Sequence, residues 1–206
     1  MTCGKGTVTG ALRATDPNGL GPVPGVTLSA PGCTTAVSDA RGYFNLTSDP
    51  SFVVRLDVSA PGYLHEHTEF QAKTTGFMGN GYLFESSITS KLPGWSSSQG
   101  YFFVIVGGTG TGTGPCSTGD GVVLSIKGHP EITALYWSDP LTPDSKLPST
   151  GSLGLGSLGP VAPGTYDVVG TKTGCTSSGA TNPHFAFENP SSTSVGALTL
   201  QEIQIQ

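Results

Sequence analysis

Few residues of this 206-residue chain have the chemistry for catalysis or ligand capture, since only 11% are charged. His65-Glu66-His67 is the one spacing that suits a metal ion. On a β-strand the side-chain period is two, so both imidazoles would leave one face and could share an ion, with Glu66 pointing away. The plainer alternative is two exposed histidines at the start of a strand. Nucleophilic catalysis requires Ser, His and an acid to converge. No Gly-x-Ser-x-Gly elbow occurs, and Gly154-Leu155-Gly156-Ser157 does not fit one. The Gly/Thr alternation at residues 107–114 has no following Gly-Lys-Ser/Thr, so it reads as a loop and not as a phosphate cradle. Trp95, Tyr136 and Trp137 could stack on the apolar faces of sugar rings. Strand alternation puts one of the adjacent Tyr136 and Trp137 inside and the other outside. No catalytic set and no cofactor is expected.

Four cysteines stand two in each half: Cys3 and Cys33, then Cys116 and Cys175. Four cysteines allow three pairings. If the chain is two domains, the pairing that respects them joins Cys3 to Cys33 and Cys116 to Cys175. Each bridge then closes a long loop, contributes roughly 3–4 kcal/mol, and belongs in an oxidising compartment. The alternative is four buried thiols in a reducing one. No Cys-x-x-Cys pair suggests a zinc ribbon or a thioredoxin-type site. Cys3 also stands where a lipoprotein's acylated cysteine would.

A net charge of −5 with no basic cluster argues against nucleic acid, whose phosphates require grouped Lys and Arg. No apolar run approaches the ~20 residues that cross a membrane as a helix. Met1 is followed at once by polar residues, so the expectation is a chain whose targeting segment has been removed.

The elements that must position these residues are strands. With 31 glycines and 16 prolines, few stretches could hold a helix of ~10 residues. The expected fold is all-β, two antiparallel β-sandwich domains in tandem at 1–95 and 100–206, joined through the turn-forming residues 93–100. Phe52, Val54, Leu56 and Val58 alternate with Arg55, Asp57 and Ser59, the mark of a strand with one wet face. Residues 82–92 place Phe84, Ile88 and Leu92 on one helical face but also fit strand alternation, and are predicted as a strand. Residues 76–81 are a Gly-rich passage, and 139–152 read as a long polar loop. In the tail, Leu198 and Leu200 keep one parity and Ile203 and Ile205 the other, which predicts a bulge near Gln201.

Three pieces of the first half occur in a telling order: Pro22-Val23-Pro24-Gly25-Val26, then Ser38-Asp39-Ala40-Arg41-Gly42-Tyr43-Phe44, then Ala60-Pro61-Gly62-Tyr63. The middle piece is a hairpin signature, with Ser38 and Asp39 able to bond the following backbone and Gly42 able to close the turn. Together the pieces resemble the carboxypeptidase regulatory-like domain, a transthyretin-like β-sandwich. The resemblance implies a non-catalytic extracellular module. In the second half, Pro163-Gly164-Thr165-Tyr166 and Val195-Gly196-Ala197-Leu198-Thr199-Leu200 resemble the same family, but the hairpin signature is missing.

Intradiol dioxygenases look related in fold and hold ferric iron with a His-x-His pair and two tyrosines. That resemblance would make Tyr43 and Tyr63 partners of His65 and His67, although the Arg-Pro-x-His-x-His context is absent. Pilin-type sandwiches join a Lys to an Asn near an acid; Lys5 could supply the Lys, but no matching Asn closes the first half. Asn45-Leu46-Thr47 is a glycosylation sequon. The expected function is non-enzymatic: a secreted or cell-surface (extracellular or periplasmic) structural or adhesive protein. It would meet other proteins, copies of itself included, in a filament or surface layer. The alternatives are a carbohydrate-binding module and an iron oxygenase.

Overall fold

A computed structural model describes residues 6–15, 21–29, 35–48, 53–71, 77–108, 113–176, 184–185 and 197–204. The chain is all-β and divides into two compact units, Met1–Thr89 and Ser90–Gln206. Each unit is a β-sandwich in which antiparallel pairing dominates.

Unit 1 contains β1 (Gly6–Thr15), β2 (Thr27–Ser29), β3 (Thr35–Val37), β4 (Tyr43–Ser48), β5 (Val53–Ser59), β6 (His65–Gln71) and β7 (Phe77–Phe84). One sheet runs β4-β1-β7, with β1 antiparallel to β4 and parallel to β7. In the other, β2 lies between β3 and β5, and β5 pairs with β6, all antiparallel. Val26, Leu28, Phe44, Val58, Leu64, Leu83 and Phe84 are buried. Val58 agrees with the alternation predicted for this strand. The Gly-rich residues 77–81 belong to β7, where they pair with β1.

Residues 86–91 correct the predicted strand: they form a short 3-10 helix, Ser86–Lys91, that buries Ile88. Ile88 N–H bonds the Glu85 carbonyl and the Thr89 hydroxyl bonds the Ser86 carbonyl. The helical spacing of Phe84, Ile88 and Leu92 was the informative period, and all three are buried.

Unit 2 contains β8 (Gly100–Gly107), β9 (Val123–Ile126), β10 (Ala134–Asp139), β11 (Thr142–Pro143), β12 (Leu155–Val161), β13 (Thr165–Tyr166), β14 (Val168–Thr171), β15 (His184–Phe185) and β16 (Ala197–Gln204). Here β8 is antiparallel to β12 and parallel to β16. Beyond β12 lie β10 and then β11. Opposite, β9 pairs with β14, and β13 with β15. The core is built from Phe102, Val104 and Val106 of β8 against Val122, Leu124, Ile126, Tyr136, Leu158, Val168 and Ile203. β16 keeps continuous register with β8 from Leu198 opposite Tyr101 to Gln204 opposite Gly107, so the predicted bulge is absent from these residues.

Candidate functional site

The hairpin of unit 1 is held by one buried hydroxyl. Ser38 Oγ accepts the Val26 N–H at 2.9 Å and donates to the Val23 carbonyl at 2.8 Å. Around it, Gly25 N–H bonds the Ser38 carbonyl and Ser38 N–H bonds the Val26 carbonyl, both at 3.0 Å. Four bonds thus clasp the Pro-Val-Pro-Gly-Val segment to the turn. Asp39 Oδ1 then accepts Tyr43 N–H at 2.9 Å and Arg41 N–H at 2.8 Å. Those two donors, with Tyr43 the stronger, hold the Asp39 carboxyl below the usual range. Gly42, at φ 77°, closes the turn and bonds the Asp39 carbonyl. The Arg41 guanidinium lies 5.4 Å from the centre of the Tyr43 ring.

The same four-bond arrangement recurs in unit 2 around Thr150. Its Oγ1 accepts Val122 N–H at 2.8 Å and donates to the Gly119 carbonyl at 2.7 Å. Gly121 N–H bonds the Thr150 carbonyl and Thr150 N–H bonds the Val122 carbonyl. Gly154, at φ 67°, takes the place of Gly42 and bonds Gly151, which stands where unit 1 has Asp39. The strands leading away are also alike: Gly25-Val26-Thr27-Leu28-Ser29 matches Gly121-Val122-Val123-Leu124-Ser125 at four of five positions. Downstream, Tyr63 N–H bonds Ala60 at Gly62 (φ 84°), and Cys175 N–H bonds Lys172 at Gly174 (φ 80°). Sequence reasoning missed Thr150, although the repeated pentapeptide was the available signal.

Of the predicted metal pair, His65 is half-buried and His67 lies opposite Asp57 on β6. The residue between them is the buried one. Glu66 is 3% exposed, and its Oε1 accepts Phe84 N–H at 2.8 Å. Leu64 N–H bonds the Phe84 carbonyl and Ser86 N–H the Gly62 carbonyl, so the carboxyl continues a short bridge between these segments. Burial pushes the Glu66 carboxyl well above its ordinary value, and the Phe84 N–H opposes this. Among the described residues no group of three or more His, Cys, Asp or Glu could hold a metal ion.

The predicted aromatic platform does not form as expected. Trp137 is fully buried, donates Nε1–H to Ser157 Oγ at 2.9 Å, and meets Phe103 edge-on at 5.5 Å. Tyr136 is buried too, its hydroxyl oxygen accepting Leu124 N–H at 2.9 Å. Alternation does set the two on opposite faces of β10, but both faces are covered: Tyr136 joins the core with Phe102 and Leu124, and Trp137 packs against Phe103 and Ser157. Trp95 remains partly exposed and stacks on Tyr101 at 5.6 Å. The Tyr101 hydroxyl bonds the Pro93 carbonyl, and burial pushes its pKa up to about 12.

Cys116 and Cys175 are joined by a disulfide that closes a 59-residue separation. Cys3, Cys33 and Lys5 lie outside the described residues. Asn45 is exposed on β4, Tyr43 is 42% exposed, and Tyr63 is half-buried in a bridge to Glu85. Among the described residues the buried polar side chains are Ser38, Glu66, Thr150 and Ser157, and each bonds the protein's own backbone or the Trp137 indole. Among the described residues, the large apolar side chains left exposed are Val37, Tyr43, Val123 and Leu153, and all four flank the two clasps. No helix of the described residues is long and apolar enough to cross a membrane.

No family model matches the chain, and no curated protein matches it. Among solved structures, a type II cohesin–X-dockerin complex from Acetivibrio cellulolyticus is 18% identical over 39% of this chain and 58% of that one, with a TM-score of 0.32. The chain therefore corresponds to little more than half the length of that relative. The shaft pilin SpaA of Lactobacillus rhamnosus GG is 12% identical, covering 98% of this chain and 97% of that one, with a TM-score of 0.30. A minor pilin of Streptococcus agalactiae is 11% identical over 97% and 96%, with a TM-score of 0.28. These are likenesses of β-sandwich fold, and no functional conclusion rests on them.

Proposed function

We propose that the chain is two copies of one carboxypeptidase-regulatory-like module and that it works outside the reducing cytosol as a non-enzymatic protein that binds other proteins. The observation that carries this reading is how its side chains are divided. Among the described residues, the buried polar groups hold strands together, while the exposed large apolar ones gather on the two clasped turns. Rigid turns that present Val37, Tyr43, Val123 and Leu153 are surfaces for a partner rather than for chemistry. The copy relationship is supported by the matching clasps, by the shared pentapeptide, and by a central strand that is antiparallel to one neighbour and parallel to the other in each unit. The Cys116–Cys175 bridge supports an oxidising compartment.

The test is the state of the protein purified from its native source without reductant. Light scattering and negative-stain microscopy should find it in assemblies heavier than one 21.0 kDa chain. Cys116 and Cys175 should resist alkylation until a reductant is added. A free single chain would overturn the protein-contact reading, and reactive thiols would overturn the oxidising compartment.

A further inference from the structure

The two units treat one sheet edge differently. In unit 2 the strand that follows the clasp, β12, is flanked by β8 on one side and by β10 on the other. β10 is supplied by residues 126–149, the long connection between β9 and Thr150. The sheet is then finished by β11, two residues long and ending in Pro143, after a register shift between Trp137 and Asp139. A short terminal strand, a proline without an N–H and a bulge all discourage further pairing.

Unit 1 has no such cover among the described residues. Its connection, residues 30–37, supplies β3 to the other sheet, so β4, which follows Ser38 as β12 follows Thr150, pairs with β1 alone. Tyr43 gives its N–H to Asp39 Oδ1 and its carbonyl to Asp39 N–H, so its backbone groups face away from β1. A strand residue directs both groups to one side, and alternate residues share that side. The N–H and C=O of Asn45 and Thr47 therefore point to the open edge. In unit 2 the counterpart of Asn45 is Ser157, and it is paired with Leu135.

We propose that β4 is a self-association edge, occupied by β4 of a second copy of this chain, antiparallel about Leu46. The proposal rests on the protein-contact reading and names its surface. Tyr43-Phe44-Asn45-Leu46-Thr47-Ser48 has no charge, proline or glycine, so a copy meets it without like-charge opposition although each chain carries −5. The register uses the open backbone groups and no others: Asn45 pairs with Thr47 of the copy, and Thr47 with its Asn45, making four N–H···O bonds. Tyr43, already bonded within its own turn, stays outside the pair. Phe44 is buried and Asn45 exposed, and residue 46 lies on the two-fold axis of the pair. One strand pair buries much less than the ~1,200 Å² of a standard interface, so the association is weak and concentration-dependent.

Sedimentation velocity of the full chain over a concentration series tests this. Wild type should show a reversible dimer. Asn45→Lys with Thr47→Lys, and separately Asn45→Glu with Thr47→Glu, puts like charges opposite each other and should weaken association about tenfold. An equimolar mixture of the two should regain it, which also shows that both variants fold. A wild type that stays monomeric, variants that associate as well as wild type, or a mixture no better than its components would overturn the proposal. The protein-contact reading fails separately: it falls only if the native-source protein is a free single chain, whereas a larger native complex beside a monomeric recombinant chain removes this edge alone.

Discussion

At the scale of single residues, the fold depends on hydroxyls and a carboxyl that complete backbone hydrogen bonding. Thr150→Val keeps the shape but leaves Val122 N–H and the Gly119 carbonyl buried without their partner. Urea titration should show a loss of roughly 1–3 kcal/mol, whereas Thr150→Ser, which keeps the hydroxyl, should lose less than half as much. Glu66 has the opposite character, because its charge is a burden. Its folded pKa is raised, so between the ordinary carboxylate value and the folded one the native state binds the extra proton. Stability therefore falls as pH rises through that window and is greatest below it. Glu66→Gln keeps an acceptor for Phe84 N–H and removes the titration. Melting temperatures from pH 4 upward should decline for wild type relative to this variant; parallel curves would show that folding leaves the Glu66 pKa unshifted.

At the scale of elements, the two clasped turns invite a paired test. Both Gly42 and Gly154 have positive φ, which costs about 1–2 kcal/mol for a residue with a Cβ. A Cβ at Gly154 would also press on the Val106 carbonyl oxygen, so Gly154→Ala should lose more in a denaturant titration than the ~1–2 kcal/mol that positive φ alone costs. The first turn was legible in the sequence because Asp39 bonds residues two and four positions ahead. The second was not, since Gly151 replaces the aspartate and Thr150 reaches back to Gly119 and Val122. Residue pattern also misplaced what tertiary packing decides. Alternation expected one of Tyr136 and Trp137 outside, yet both faces of β10 are packed and the pair is buried. The His-x-His motif drew attention to the wrong residue, because nothing in its spacing reveals that β6 turns Glu66 inward to meet Phe84.

At the scale of the whole molecule, the two units can be followed separately because both tryptophans, Trp95 and Trp137, belong to unit 2. Their fluorescence reports that unit's unfolding, while far-ultraviolet circular dichroism reports all strands. The Cys116–Cys175 bridge also lies wholly in unit 2, and it ties the segment before β9 to the turn after β14. Removing it with Cys116→Ser and Cys175→Ser frees the unfolded chain across the 59-residue separation, a loss of roughly 3–4 kcal/mol. The tryptophan transition should move to clearly lower denaturant. Ser38→Ala breaks only the unit 1 clasp, so it should move the dichroism transition and leave the tryptophan transition in place. If the two units unfold as one cooperative body, both variants will move both signals together. The two units would then have to be treated as a single thermodynamic domain.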